Sequence, residues 1–165
     1  MYFSAINGIL SFTAALVLHE MGHFFAARAA RVPVTQAGFG WGPKLFELRI
    51  NEVDYQLRLL PLGAYIRMDM SVLQKRPLFQ QLFVLLAGIA VNLILAAAAW
   101  GTFFGALNLV LALANLFPLY QQDGWKSGMV IFRRLLRRRS PLVEWSFTLS
   151  AGLVGLLVLI RLLCF

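Results

Sequence analysis

Apolar residues fall in long blocks along this chain, interrupted by two stretches of mixed pattern. The first block runs from Tyr2 to Ala27 and carries one formal charge, Glu20. Apolar runs longer than about 18 residues suit a membrane span better than the one-sided stripe of a soluble helix. A first membrane helix is therefore expected over 4–29, closed by Arg28, Arg31 and Pro33. A cleaved signal peptide fits poorly: no basic segment leads the block, and its histidines lie within it.

From Val34 to Met68 the pattern changes. Lys44–Ile50 and Val53–Leu59 roughly alternate apolar and polar residues, and Asn51-Glu52 between them predicts a tight turn. Gly38, Gly40, Gly42 and Pro43 punctuate the approach, while Pro61 and Gly63 are expected to break the chain before the short run Ala64–Met68. A small sheet or hairpin over 34–68, at or dipping into the membrane surface, accounts for this composition. Irregular backbone at that depth must be buried in protein or line a wet cavity. Asp69–Pro77 reads as a polar connector.

Pro77 to Gln122 contains no charged residue. At ~1.5 Å per residue that run makes about 70 Å of helix, enough to cross a ~30 Å hydrocarbon core twice. Trp100-Gly101-Thr102 marks the break, giving a second helix over 78–99 and a third over 102–117. A loop over 118–126 carries Asp123-Gly124. An amphipathic basic helix is expected over 128–139, with Arg133, Arg134, Arg137, Arg138 and Arg139, and a fourth span over 143–163. The expected fold is thus a single α-helical membrane domain with about four transmembrane helices and a β-hairpin between the first two.

Composition agrees: of 165 residues, 60% are hydrophobic and 13% charged, too lopsided for a soluble domain. The net charge of +8 does not indicate nucleic acid, because no basic stripe is interleaved with aromatics on a soluble fold. Every Lys and Arg except Arg161 lies in 28–76 or 126–139. With four spans these segments share one side, which the positive-inside bias makes the cytoplasm, leaving both termini outside. The arginine cluster then serves as a cytoplasmic anchor. So small a chain suggests a prokaryotic inner membrane. The lone Cys164 excludes an intramolecular disulfide and a cysteine-based zinc site.

The chemistry concentrates in His19-Glu20-Met21-Gly22-His23. The chain's two histidines stand four residues apart, on one face of a helix, so both can meet one metal ion. Glu20 is rotated about 100° from His19, where it can hold a water. Three ionisable groups within one turn of a membrane span require a purpose. Two histidines are too few for a catalytic zinc, which takes three protein ligands and keeps one open position. The third must be a carboxylate, and Asp123 is the best placed. It follows a long uncharged stretch, lies on the matching side of the membrane, and has Gly124 beside it to permit a sharp turn.

The chain resembles the site-two proteases, intramembrane zinc metallopeptidases. His19–His23 matches their H-E-x-x-H. Pro61-Leu62-Gly63-Ala64-Tyr65 is similar to their P-L-G-G-Y, with Ala64 for the second glycine. Ala87-Gly88 with Asn92 is similar to A-G-P-x-x-N, with Ile89 for the proline and one extra residue. Asn115-Leu116-Phe117-Pro118 with Asp123-Gly124 is similar to N-x-x-P-x-x-x-x-D-G, although Gln122 stands where an apolar residue is usual.

The resemblance implies one Zn2+ per chain held by His19, His23 and Asp123, with Glu20 as general base. It implies a sheet edge that takes up an unwound substrate, and Gly63, Asn92 and Asn115 near the site. The two asparagines fit interhelical hydrogen bonding equally well. It further implies cleavage of transmembrane segments, releasing a regulator or clearing a remnant peptide. The implied partners are a transmembrane substrate and the bilayer, with no nucleic acid. No PDZ domain is recognisable, so substrate choice would fall to the core, to prior trimming or to an accessory membrane protein. Two other classes compete. A catalytically dead relative acting as a membrane chaperone would not need His19, Glu20, His23 and Asp123 intact. A metal transporter would need ligands spread over several helices, which carry little beyond Asn92, Asn108 and Asn115.

Overall fold

The structure, a computed structural model, describes residues 5–117, 119, 121–136 and 141–164. Helix α1 (Ala5–Ala29) is apolar on all sides, and the residues it buries are small or polar: Ala15, His19, His23, Ala26 and Ala27. Their spacing of three and four places them in one stripe. Large side chains such as Ile6, Leu10 and Phe25 face outward instead. The inversion is partial in α3 (Leu78–Ala98), which buries Gly88, Asn92 and Ala96 together with Val84, Leu85 and Ile89, and exposes Phe79, Phe83 and Ile94. In α4 (Phe103–Leu116) the buried positions are Gly105, Asn108 and Ala112. Small and polar residues inside with bulky apolar ones outside is the arrangement of helices packed within lipid, where outward leucines cost nothing. Among the described residues α1 and α3 are long and apolar enough to cross a bilayer. The 14 residues of α4 reach only ~21 Å at ~1.5 Å each.

α1 ends as its sequence directs. Val32 N–H bonds the Ala27 carbonyl at 2.8 Å and Arg31 N–H that of Arg28 at 3.0 Å, with Arg31 left-handed at φ 55. These paired bonds close the helix and turn the chain into the sheet.

Strands β1 (Val34–Ile50) and β2 (Val53–Met68) form the expected antiparallel hairpin. Asn51 and Glu52 have φ of 48 and 66, the paired positive values of a two-residue turn matched to strand twist. Pro61 and Gly63 do not interrupt β2, contrary to the expected break. Register shifts and left-handed glycines, among them Gly40 at φ 91 and Gly63 at φ 82, let the strands bend instead of ending. Because of this bending, residues 36–39 pair with 64–67 on one side and with 54–57 on the other, and 54–57 pair in turn with 46–49. The segment 64–68 is therefore an outer edge. Thr13 Oγ1 donates to the Pro61 carbonyl at 3.2 Å and fastens β2 to α1.

A short helix, α2 (Met70–Gln74), occupies the polar connector, where no element was expected. The Asp69 carboxylate caps it, accepting from Ser71 N–H at 2.9 Å and Val72 N–H at 3.3 Å. The Ser71 hydroxyl and these amides hold the Asp69 carboxyl below its usual range. Leu73 of α2 joins Ala26, Ala27, Val34, Val53 and Val84 in a core that ties α1, the hairpin base and α3 together.

The expected loop over 118–126 ends sooner than its composition suggests. Helix α5 (Asp123–Leu136) begins at Asp123, five residues before the expected start at 128. A carboxylate in a first helical turn is favoured by the exposed N–H groups there, so Asp123 starts the helix. Pro118 and Arg137, Arg138 and Arg139 lie outside the described residues. Helix α6 (Pro141–Cys164) follows, and Arg133 of α5 makes a two-pronged ion pair with Glu144, both contacts at 2.8 Å.

Candidate metal centre

Three side chains from two elements distant in sequence converge on one buried point. α1 supplies His19 and His23, one turn apart, and the first turn of α5 supplies Asp123. All three are buried, at 4%, 5% and 6% exposure. Asp123 Oδ2 lies 3.1 Å from His19 Nε2 and 2.9 Å from His23 Nε2, and the two nitrogens are 3.2 Å apart.

The outer partner of His23 decides what these short distances mean. His23 Nδ1 lies 2.8 Å from the Val84 carbonyl, which can only accept, so Nδ1 carries the proton. Nε2 of the neutral ring then presents a lone pair to Asp123 Oδ2 and to His19 Nε2. His19 Nδ1 is buried with no hydrogen-bond partner among the described residues, so no neighbour fixes that ring's proton. With the proton on Nδ1, three acceptors face one another within hydrogen-bonding distance, which suits a cation between them. Bonds of ~2.0–2.2 Å in a tetrahedral zinc site put its ligand atoms about 3.3–3.6 Å apart, a few tenths of an ångström beyond the separations here. The ligand set of two imidazoles and a carboxylate suits zinc and leaves a fourth position free.

The surroundings fit the same use. Gly88 of α3 packs directly on the imidazoles: a Cβ there would lie 2.4 Å from His23 Nε2 and 2.6 Å from His19 Nε2. Gly124 lets α5 start hard against the end of α4, since a Cβ would lie 2.0 Å from the Leu116 carbonyl oxygen. That contact fixes the position of Asp123. Lys126, one turn on, places Nζ 3.2 Å from Asp123 Oδ1, leaving Oδ2 for the centre.

Glu20 leaves α1 on the neighbouring face and does not join the cluster. Its carboxylate accepts from Ile66 N–H of the outer edge at 3.1 Å. The remaining expected residues are placed less directly. Asn92 is fully buried one turn beyond Gly88, and neither its side-chain oxygen nor its nitrogen has a hydrogen-bond partner among the described residues. The Asn115 amide donates to the Leu111 carbonyl of its own helix at 3.0 Å, a bond within α4, while its backbone oxygen approaches Gly124. Gly63 has Trp41 and Leu16 as nearest neighbours, one helical turn from Glu20, and does not touch the three donors.

Sequence reasoning named Gly88 only within the Ala87-Gly88 resemblance, without a role at the site, and passed over Lys126, the Val84 carbonyl and the Ile66 N–H. Gly88 left a signal, being a glycine amid bulky apolar residues. The two backbone groups left none.

A buried His-His-Asp centre carried by apolar helices with a hairpin against them defines a membrane-type metalloprotein core. Comparison of sequences is specific about its kind. The profile of Peptidase family M50 matches residues 7–105, and the chain belongs to that family. The Arabidopsis thaliana protein named membrane metalloprotease ARASP, chloroplastic, is 32% identical over 151 residues, covering 78% of this chain and 33% of the relative. A Clostridium perfringens protein bearing the name of a zinc metalloprotease is 34% identical over 99 residues, covering 55% of this chain and 30% of its own length. The chain thus spans about a third of the length of these curated relatives.

Proposed function

We propose that this protein is a zinc-dependent intramembrane endopeptidase that hydrolyses peptide bonds within transmembrane segments. The convergence of His19, His23 and Asp123 beside Glu20, on helices with outward apolar faces, carries this reading. His19, His23 and Asp123 hold the metal. Zinc, when bound, supplies Lewis acidity that polarises the scissile carbonyl and acidifies water. Glu20 takes the proton from the attacking water as its oxygen bonds to the carbonyl carbon. When the C–N bond breaks, Glu20 hands that proton to the departing amine. The outer edge 64–68 holds the substrate by strand addition, which requires the substrate helix to unwind first and Glu20 to release the Ile66 N–H it holds at 3.1 Å. The spans are α1, α3 and α6 with the shorter α4, whose ~21 Å requires the bilayer to thin beside it, oriented with the basic segments toward the cytoplasm.

The relatives named membrane metalloproteases support this reading. The test is cleavage of a purified single-span substrate in proteoliposomes, with the cut mapped by mass. The expected cut falls inside the apolar segment and disappears on zinc chelation. Cuts confined to soluble flanks, or insensitive to chelation, sink the reading. Asp123→Asn should lose zinc by more than the ~10–100-fold that changes outside the ligand shell cost. Full occupancy by metal analysis would remove Asp123 from the ligand set.

A further inference from the structure

Between α1 and the hairpin lies a cavity of about 440 Å³, within the ~300–1,000 Å³ span of ligand pockets. Its helix wall is the stripe Val17, Glu20, Met21, Phe24 and Phe25, spaced as one helical face. Its floor is one face of the sheet. Residues 37 and 39, 46 and 48, 55 and 57, and 64 and 66 all line it, each pair two apart.

The strand register sets these floor residues in two rows, 46–57–39–64 and 48–55–37–66. Both rows start with large side chains at the far edge. The first row ends small at Ala64 on the edge; the second narrows at Ala37 and ends on the edge at Ile66, whose N–H meets Glu20. Glu20 supplies the only formal charge among the lining residues, and it also borders the metal centre.

Strand addition gives this cavity an occupant. A chain laid along 64–68 extends the sheet by one strand, with side chains alternating between its two faces. Those on the face of Ala64 and Ile66 continue the two rows into the cavity, where the alanines leave room. We infer that this cavity is the specificity pocket of the enzyme. It receives one bulky apolar side chain, of the size of Leu, Met or Phe, close to the scissile bond. The inference rests on the peptidase reading above.

The test compares two single-span substrates that differ at one residue flanking the mapped cut, Phe in one and Ala in the other. Each enzyme is scored by the ratio of its two kcat/KM values, with zinc content measured alongside. The wild type should favour Phe by roughly 10-fold or more, the scale of discrimination in an apolar pocket. Ala37→Leu and Ala64→Leu fill the space and should pull the ratio toward or past unity. Phe39→Ala enlarges it and should shift the ratio and, on a third substrate carrying Trp at the same residue, raise kcat/KM above that of the wild type, which keeps the test decisive if the filled variants fail to fold. A wild type that cleaves both substrates equally, or a ratio unmoved by all three variants, overturns the pocket while leaving the peptidase reading intact. A wild type that cleaves neither overturns the peptidase reading itself.

Discussion

Glu20→Gln should stop substrate cleavage while zinc stays bound. The substitution is isosteric and leaves His19, His23 and Asp123 untouched, so metal analysis should return the wild-type stoichiometry. It removes the one group beside the centre that can accept a proton from water. Glutamine retains an oxygen that can accept the Ile66 N–H bond now made at 3.1 Å, so the α1–sheet junction is preserved. General-base assistance contributes ~10²–10⁴-fold in rate, and kcat should fall by at least that much. The binding apparatus is intact, so this variant should also hold substrate long enough to be captured with it. Wild-type turnover by Glu20→Gln would discard the mechanism. Loss of zinc together with activity would instead assign Glu20 to holding the centre.

How much of this site the sequence disclosed depends on range. His19 and His23 are legible because a helix forces residues four apart onto one face, and because ionisable groups are conspicuous in an apolar block. Asp123 lies 104 residues from His19, and no local spacing joins them; the scarcity of acids near the uncharged stretch, the matching membrane side, Gly124 and the resemblance of Asp123-Gly124 to a family motif pointed to it. The hairpin was legible at Asn51-Glu52, where turn chemistry is local. Its bent ladder was not, because the pairing of 36–39 with both 54–57 and 64–67 depends on tertiary packing that overrides Pro61 and Gly63 as breakers. The start of α5 was misplaced for a related reason. Asp123-Gly124 resembles a turn by composition, but the close approach of Gly124 to Leu116 makes it a helix start. The hydrogen bonds from Val84 and Ile66 come from the backbone, so no side-chain pattern announces them.

Gly88→Ala should abolish zinc binding without unfolding the protein. The added methyl would stand 2.4 Å from His23 Nε2, 2.6 Å from His19 Nε2 and 2.7 Å from His19 Cε1. These neighbours are ring atoms, and the His23 ring is held by the Val84 carbonyl one turn earlier on the same helix as Gly88. Relief therefore requires α3 and α1 to separate or both rings to leave their positions. A carbon so close to both donor nitrogens also takes the space that a metal at ~2.0–2.1 Å from each needs. Helix propensity acts in the opposite direction, since alanine favours helix over glycine by about 1 kcal/mol. The expected variant is thus as helical as wild type by circular dichroism, with its zinc and its activity lost together. This pairing separates a steric block at the centre from general misfolding, which would lower helicity as well. Full zinc stoichiometry in Gly88→Ala would mean that the imidazoles do not converge under α3, and with them would go the geometry on which the metal site rests.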